Sequence, residues 1–197
     1  MTTTELLKKT RAAWGSIRGA SAEEKDRILL SMAASLEECA GDILACNGQD
    51  IDRARGHISE VMLDRLRLDE ERVRGMADGI RATAALPDHT GRILSETVHP
   101  NGMHIYKVQV PLGLVAIIYE SRPNVTSDAA ALAIKSGNVC MLRSGKEAIL
   151  SARAIVRALK KGIAAAGGDE DIVNIVEDTS HAGAAELMQA KGLVDLL

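Results

Sequence analysis

The chain has 197 residues, 46% of them hydrophobic and 26% charged, enough for one ordinary domain with an appendage or for two small ones. A formal net charge of −3, no clustered Lys/Arg stripe and an aromatic content of 2% without any Phe argue against a nucleic-acid partner, which needs concentrated positive charge or stacking rings. No apolar run approaches the ~20 residues that cross a bilayer, and the N-terminal MTTTELLKKTRAAW carries charges where a signal peptide has an apolar core, so a cytoplasmic protein without a membrane partner is expected.

Residues 3–87 read as helices. Leu6, Leu7, Ala13, Trp14 and Ile17 recur at three- and four-residue spacing and form one amphipathic face, closed by Gly19. Ser21 and Glu24 form an S-x-x-E capping box before a second helix carrying Ile28, Leu29, Met32 and Leu36 and ending near Gly41. Asp42–Ala54, Ser59–Leu66 and Asp69–Ala85 give three more, the last capped by Asp69 with Val73, Met76, Ala77 and Ile80 as its buried stripe. The arginines of this part (Arg53, Arg55, Arg65, Arg67, Arg72, Arg74) alternate with acids and read as a solvated helix face.

From Arg92 to Val110 the period changes to alternation around Pro100-Asn101-Gly102, a hairpin of Ile93–His99 and Met103–Val110 with Tyr106, Val108 and Val110 on one side. It has no partner sheet within the chain, so another subunit or a further segment is expected to cover its edge.

The stretch Val110–Ser136 organises the remainder of the chain. Leu114–Tyr119 is an uninterrupted apolar, β-branched run, the pattern of a central strand covered on both faces. Pro123 ends it, and Ala129–Ile134 then reads as a helix stopped by Gly137. Val139–Arg143 is a second strand. Ser144 and Glu147 form a capping box for a long helix over Ala148–Ala166, Ile172–Val176 is a third strand, Ser180 caps another helix, and Leu193–Leu197 begins a fourth strand. A domain seldom ends as a strand begins, so the sequence is expected to be a portion of something longer. The fold expected is α/β: an open parallel sheet with helices on both faces over residues 111–197, preceded by a helical segment over 1–90 and a hairpin over 91–110.

Several motifs are absent. No G-x-G-x-x-G follows the first strand, and Ser144-Gly145-Lys146-Glu147 lacks the Ser/Thr of a phosphate loop. The three cysteines (Cys39, Cys46, Cys140) have no CxxC spacing and the five histidines no metal spacing, so neither a zinc site nor a catalytic thiol is expected. Glu120, Ser121, Arg122 and Asn124 do gather where a strand end meets a helix start, whose free N–H groups favour an anion such as a phosphorylated substrate. Arg122 offers a planar fork to phosphate or carboxylate. Asn124 either donates to a developing oxyanion or caps the helix.

The block Val110-Pro111-Leu112-Gly113, Ile118-Tyr119-Glu120-Ser121-Arg122-Pro123-Asn124-Val125, Lys135-Ser136-Gly137-Asn138 and Met141-Leu142-Arg143 resembles the gamma-glutamyl phosphate reductase family of the aldehyde dehydrogenase superfamily. Asp64-Arg65-Leu66, Ala85-Leu86-Pro87-Asp88 and the Pro100-Asn101-Gly102 hairpin extend that likeness over nearly the whole chain. The resemblance implies reduction of L-glutamate 5-phosphate by NADPH in proline synthesis, through a cysteine thiolate that attacks the acyl phosphate. It implies a substrate site at Glu120, Ser121, Arg122 and Asn124 and a cofactor site at Tyr119, Arg143, Ser144 and Lys146, with Arg143 and Lys146 toward the 2′-phosphate. It also implies that the hairpin is an arm of a homo-oligomer. The family's nucleophilic cysteine and its glycine-rich helix start match nothing here, so these residues alone are expected to be inactive. The alternative is a non-catalytic homologue that binds nucleotide or a partner subunit.

Overall fold

The computed structural model describes all 197 residues. Five helices come first: α1 (Thr3–Ile17), α2 (Ala22–Glu38), α3 (Ala40–Ala54), α4 (Glu60–Leu66) and α5 (Glu70–Ala84). Their starts derive from capping chemistry. Thr2 with Glu5 and Ser21 with Glu24 form full capping boxes, while Ser59 and Asp69 accept from the N–H groups of Met62 and Arg72.

The hairpin pairs β1 (Ile93–Val98) with β2 (His104–Val108) in antiparallel register from Val98 opposite His104 to Ile93 opposite Val108. Gly102, at φ 85°, supplies the left-handed residue of its turn. Every residue of both strands is exposed, and no third strand joins them, as the sequence led us to expect.

The second sheet holds β3 (Leu114–Ile118), β4 (Val139–Arg143) and β5 (Val173–Ile175), all parallel and in that order, with α6 (Pro123–Lys135) and α7 (Ile149–Ala165) as crossovers. One correction concerns its centre. The strand expected there, β3, ends the order of the three, and β4 is the one flanked by ladders. An apolar run alone does not separate the two, but burial does: Val139–Leu142 are fully buried, whereas Val115, Ile117 and Ile118 are half-buried. The expected fourth strand is a single parallel bridge from Leu196 to Val115 on the outer side of β3, reached after α8 (His181–Met188).

Because consecutive strand residues face opposite sides, complete burial of Val139–Leu142 in β4 requires cover on both faces. Packing of α1 and α6 on β4 and of α7 on β5 provides it. Trp14 of α1 donates through Nε1 to Gly137 O at the approach to β4 (3.1 Å). The N-terminal helices thus divide: α1 lies on the sheet, while α2 and α5 pack on α6 and α7 as an outer layer. Where α2 crosses α7, a Cβ on Gly162 would come within 2.6 Å of Met32 Cα, so the two backbones meet directly. One continuous cluster of buried residues runs from Leu7 in α1 to Leu187 in α8 and is shared by sheet and helices.

A second correction concerns the start of α7. The capping box expected from Ser144 and Glu147 does not form: Ser144 Oγ donates to Gly145 O (3.2 Å) and Glu147 accepts from Ser121 Oγ (2.7 Å). A 3-10 turn, Lys146–Ala148, comes first, and the cap arrives from α3. Asp50 accepts from Leu150 N (3.3 Å), Ser151 N (2.7 Å) and Ser151 Oγ (2.7 Å). Buried helix starts need such acceptors, and no side chain of α7 itself supplies one.

Burial pushes the Asp50 carboxyl above its ordinary range, against the opposing pull of the Ser151 and Leu150 donors. A carboxyl so raised binds its proton more tightly folded than unfolded. Its contribution to stability is therefore complete below the unfolded pKa and is lost as pH rises through the folded one. Asp50→Asn, which cannot titrate and leaves one donor poorly met, is expected to cost about 1–3 kcal/mol in acid. That deficit should narrow as pH rises, as read by urea unfolding at a series of pH values; a constant or widening deficit contradicts the assignment.

Candidate functional site

The chain moves from β3 through β4 to β5 in one direction and returns at Leu196 on the other side of β3, so the carboxyl end of β3 borders the point where the strand order reverses. Ligand crevices of open α/β sheets form at such points. Two loops meet there: Tyr119–Arg122 after β3 and Ser144–Gly145 after β4. Ser121 Oγ donates to Glu147 Oε2 (2.7 Å). A Cβ on Gly145 would collide with Ser121 Oγ and stand 3.1 Å from Ser121 N, so glycine is what lets the loops touch.

The other expected residues are spread around this contact. Tyr119 turns inward: its hydroxyl lies 2.7 Å from Thr126 Oγ1, and burial pushes the phenol well above its ordinary pKa. Arg143 donates through Nη2 to Thr179 O (2.8 Å) and Ser180 O (2.9 Å), which fastens the loop before α8, while its Nε is buried without a partner. Lys146 is 76% exposed, with only a 3.9 Å contact to Glu147 Oε1. Glu120 and Arg122 lie at the surface 4.0 Å apart. The N-cap of α6 is Arg122, which makes no side-chain cap bond, and Pro123 takes the first helical position. Asn124 is therefore not the cap. Its Nδ2 reaches Asp128 Oδ2 (3.4 Å), and both line a separate cleft of about 320 Å³ with Arg65, Arg67 and Arg72.

That cleft was invisible in sequence, where the arginines alternate with acids and read as a solvated face. The signal is long-range: the turn from α4 to α5 docks beside α6. No cysteine reaches either place. Cys140 is fully buried in β4, its thiol pushed up to about 12 by burial, and Cys39 and Cys46 are half-buried in the helical layer. No group of three or more His, Cys, Asp or Glu side chains is placed to hold a metal, and no helix is long and apolar enough to cross a membrane.

The model of the aldehyde dehydrogenase family matches residues 2–195. The gamma-glutamyl phosphate reductase of Neisseria meningitidis serogroup C is 55% identical over 195 residues, covering 99% of this chain and 46% of that protein. Among solved structures, the gamma-glutamyl phosphate reductase of Thermotoga maritima superposes with a TM-score of 0.94 at 34% identity, over 96% of this chain and 46% of that one. The Saccharomyces cerevisiae gamma-glutamyl phosphate reductase gives 0.86 at 27% identity, over 98% and 50%. The chain spans about half the length of the curated relatives it matches.

Placing a methyl group at the loop contact tests its tightness. Gly145→Ala is expected to cost about 1–3 kcal/mol, as overpacking does, with part of the loss recovered when Ser121→Ala is added. Additive effects in thermal or urea unfolding would show that the two loops do not meet as described.

Proposed function

The chain belongs to the aldehyde dehydrogenase family, and from that premise we propose that it supplies the cofactor-binding portion of a cytoplasmic gamma-glutamyl phosphate reductase. The reaction is the reduction of L-glutamate 5-phosphate to L-glutamate 5-semialdehyde and phosphate. The observation that carries this reading is the 55% identity to a protein of that name over 99% of the chain. In support of it, the Glu120–Asn124 segment stands at the carboxyl end of β3.

NADPH, when bound, would supply the hydride. The side chains after β4 suit its adenosine end in charge: Lys146 is free in solvent, and Arg143 Nε is a buried donor with no acceptor. We assign both to the 2′-phosphate, with Ser144 and the glycine-tight Ser121 contact shaping the wall beside them. Tyr119 serves this wall by packing, since its hydroxyl is already spent on Thr126. Glu120 and Arg122, exposed at the helix start, are assigned to the substrate, where Arg122 offers a fork to an anionic oxygen.

The hairpin fits a subunit arm. Ile93, Val98, Ile105, Tyr106 and Val108 are exposed on two strands that have no third, and strands from another copy of the chain would remove that edge.

Two measurements test the proposal. In the natural protein that contains these residues, replacing Arg143 and Lys146 together by Ala should weaken NADPH binding about 10- to 100-fold and NADH binding far less, the size of one or two charge-assisted contacts. Equal losses would remove the 2′-phosphate from the assignment. Residues 1–197 alone should show no NADP- and phosphate-dependent oxidation of glutamate 5-semialdehyde. Turnover abolished by Cys140→Ala would mean that this chain holds the nucleophile after all.

A further inference from the structure

The cleft beside Asn124 has a chemistry of its own. Its walls are the turn between α4 and α5, the first turns of α5 and the start of α6, and it carries three guanidinium groups. Arg72 is committed: it donates to Asp64 O (2.6 Å) and Arg67 O (2.6 Å) and approaches the Asp64 carboxylate at 3.3 Å, which fixes the turn. Arg65 and Arg67, both exposed and both lining the cleft, form no ion pair or side-chain hydrogen bond within the chain, so their charges are left unneutralised by the Arg72–Asp64 pair.

Two neighbours sharpen this. Asp128 is the one acid on the far wall, and it already holds the Asn124 amide. Partial burial pushes its carboxyl above the ordinary range, and it forms no ion pair with any of the three arginines. Gly75 lies on the wall inside α5, where glycine costs about 1 kcal/mol against alanine. A Cβ there would meet nothing within 4 Å, so no packing in this chain calls for glycine.

We propose that this cleft recognises the α-carboxylate of the glutamyl substrate, with Arg65 as the principal cation and Arg67 as its neighbour. The inference rests on the reaction proposed above. A planar guanidinium matches a carboxylate in two parallel hydrogen bonds, a geometry that an ammonium lacks. Glutamate 5-phosphate carries its carboxylate at the end of the chain opposite the acyl phosphate. A site that handles the reacting group at the start of α6 therefore needs a cation set apart from it, and the cleft continues from Asn124 to the arginines. Arg65 ranks first because it projects from the last turn of α4, whereas Arg67 is the residue at which that helix ends. The phosphoryl group is an anion too, so the test separates the two ends of the substrate.

The natural protein containing these residues is assayed in the oxidative direction, with NADP, phosphate and glutamate 5-semialdehyde varied in turn. Arg65→Ala is expected to lower kcat/KM for the semialdehyde about 10- to 100-fold, mainly through KM, and to leave KM for phosphate unchanged. Arg65→Lys should recover only part, and melting temperatures of the variants near that of the parent show that folding is intact. An unchanged KM for the semialdehyde overturns the assignment and makes Arg65 a solvated surface cation; a rise in KM for phosphate instead moves it to the other end of the substrate. An unaltered protein with no turnover overturns the reaction itself, and with it this inference.

Discussion

Helix α7 is buried between β5 on one side and α2 and α3 on the other, and the architecture depends on meeting its demands. A buried helix cannot leave its first N–H groups to water, and it cannot approach another helix closely where side chains intervene. Asp50 meets the first demand from α3. Gly162 meets the second, letting α7 touch the backbone of α2 at Met32 while Ser31 Oγ donates to Gly162 O (2.7 Å). Asn47 extends the same arrangement: it donates to Leu66 O (2.9 Å) and Ser151 Oγ (3.0 Å) and accepts from Leu68 N (2.7 Å). The turn that carries Arg65 and Arg67 is thereby tied to the first turn of α7, and through it to the sheet.

This linkage gives the two candidate places a common frame. The loops after β3 and β4 are positioned by the parallel register, Ile118 opposite Arg143. The arginine cleft is positioned by the helical layer. On the proposed reaction, cofactor charge is met at strand ends and substrate charge at a helix turn, and α6 joins them: its first residues border the β3 loop, and Asn124 and Asp128 face the arginines.

Local chemistry made much of this legible in the sequence. Ser21 with Glu24, Asp69 and the Pro100-Asn101-Gly102 turn each name their element because cap and turn bonds span only a few residues. Strand content was readable from apolar runs, but strand order was not, since LVAII and VCMLR look alike until their neighbours are known. The failures share one cause, which is competition from distant residues. Glu147 had the spacing of a capping residue, yet Ser121 takes its carboxylate, and the cap comes from Asp50 a hundred residues earlier. Arg65 and Arg67 had the pattern of a solvated face and are exposed, and docking of their turn beside α6 additionally sets them along a cleft.

The junction between the helical layer and the hairpin is held by buried charge. Lys25, fully buried, pairs with Asp88 and donates to Thr90 Oγ1 (3.2 Å), while Lys135 donates to Asp26 (2.5 Å) and to Ala84 O (2.7 Å). The cost of stripping water from charged groups falls as temperature rises, because their hydration carries a negative entropy, whereas apolar burial levels off. The root of the hairpin and the core beneath it therefore respond differently to heat. Warming favours the lysine clasp relative to its apolar surroundings, and cooling weighs against it, so the segment leading into the hairpin is held by an interaction whose temperature dependence runs opposite to that of the core.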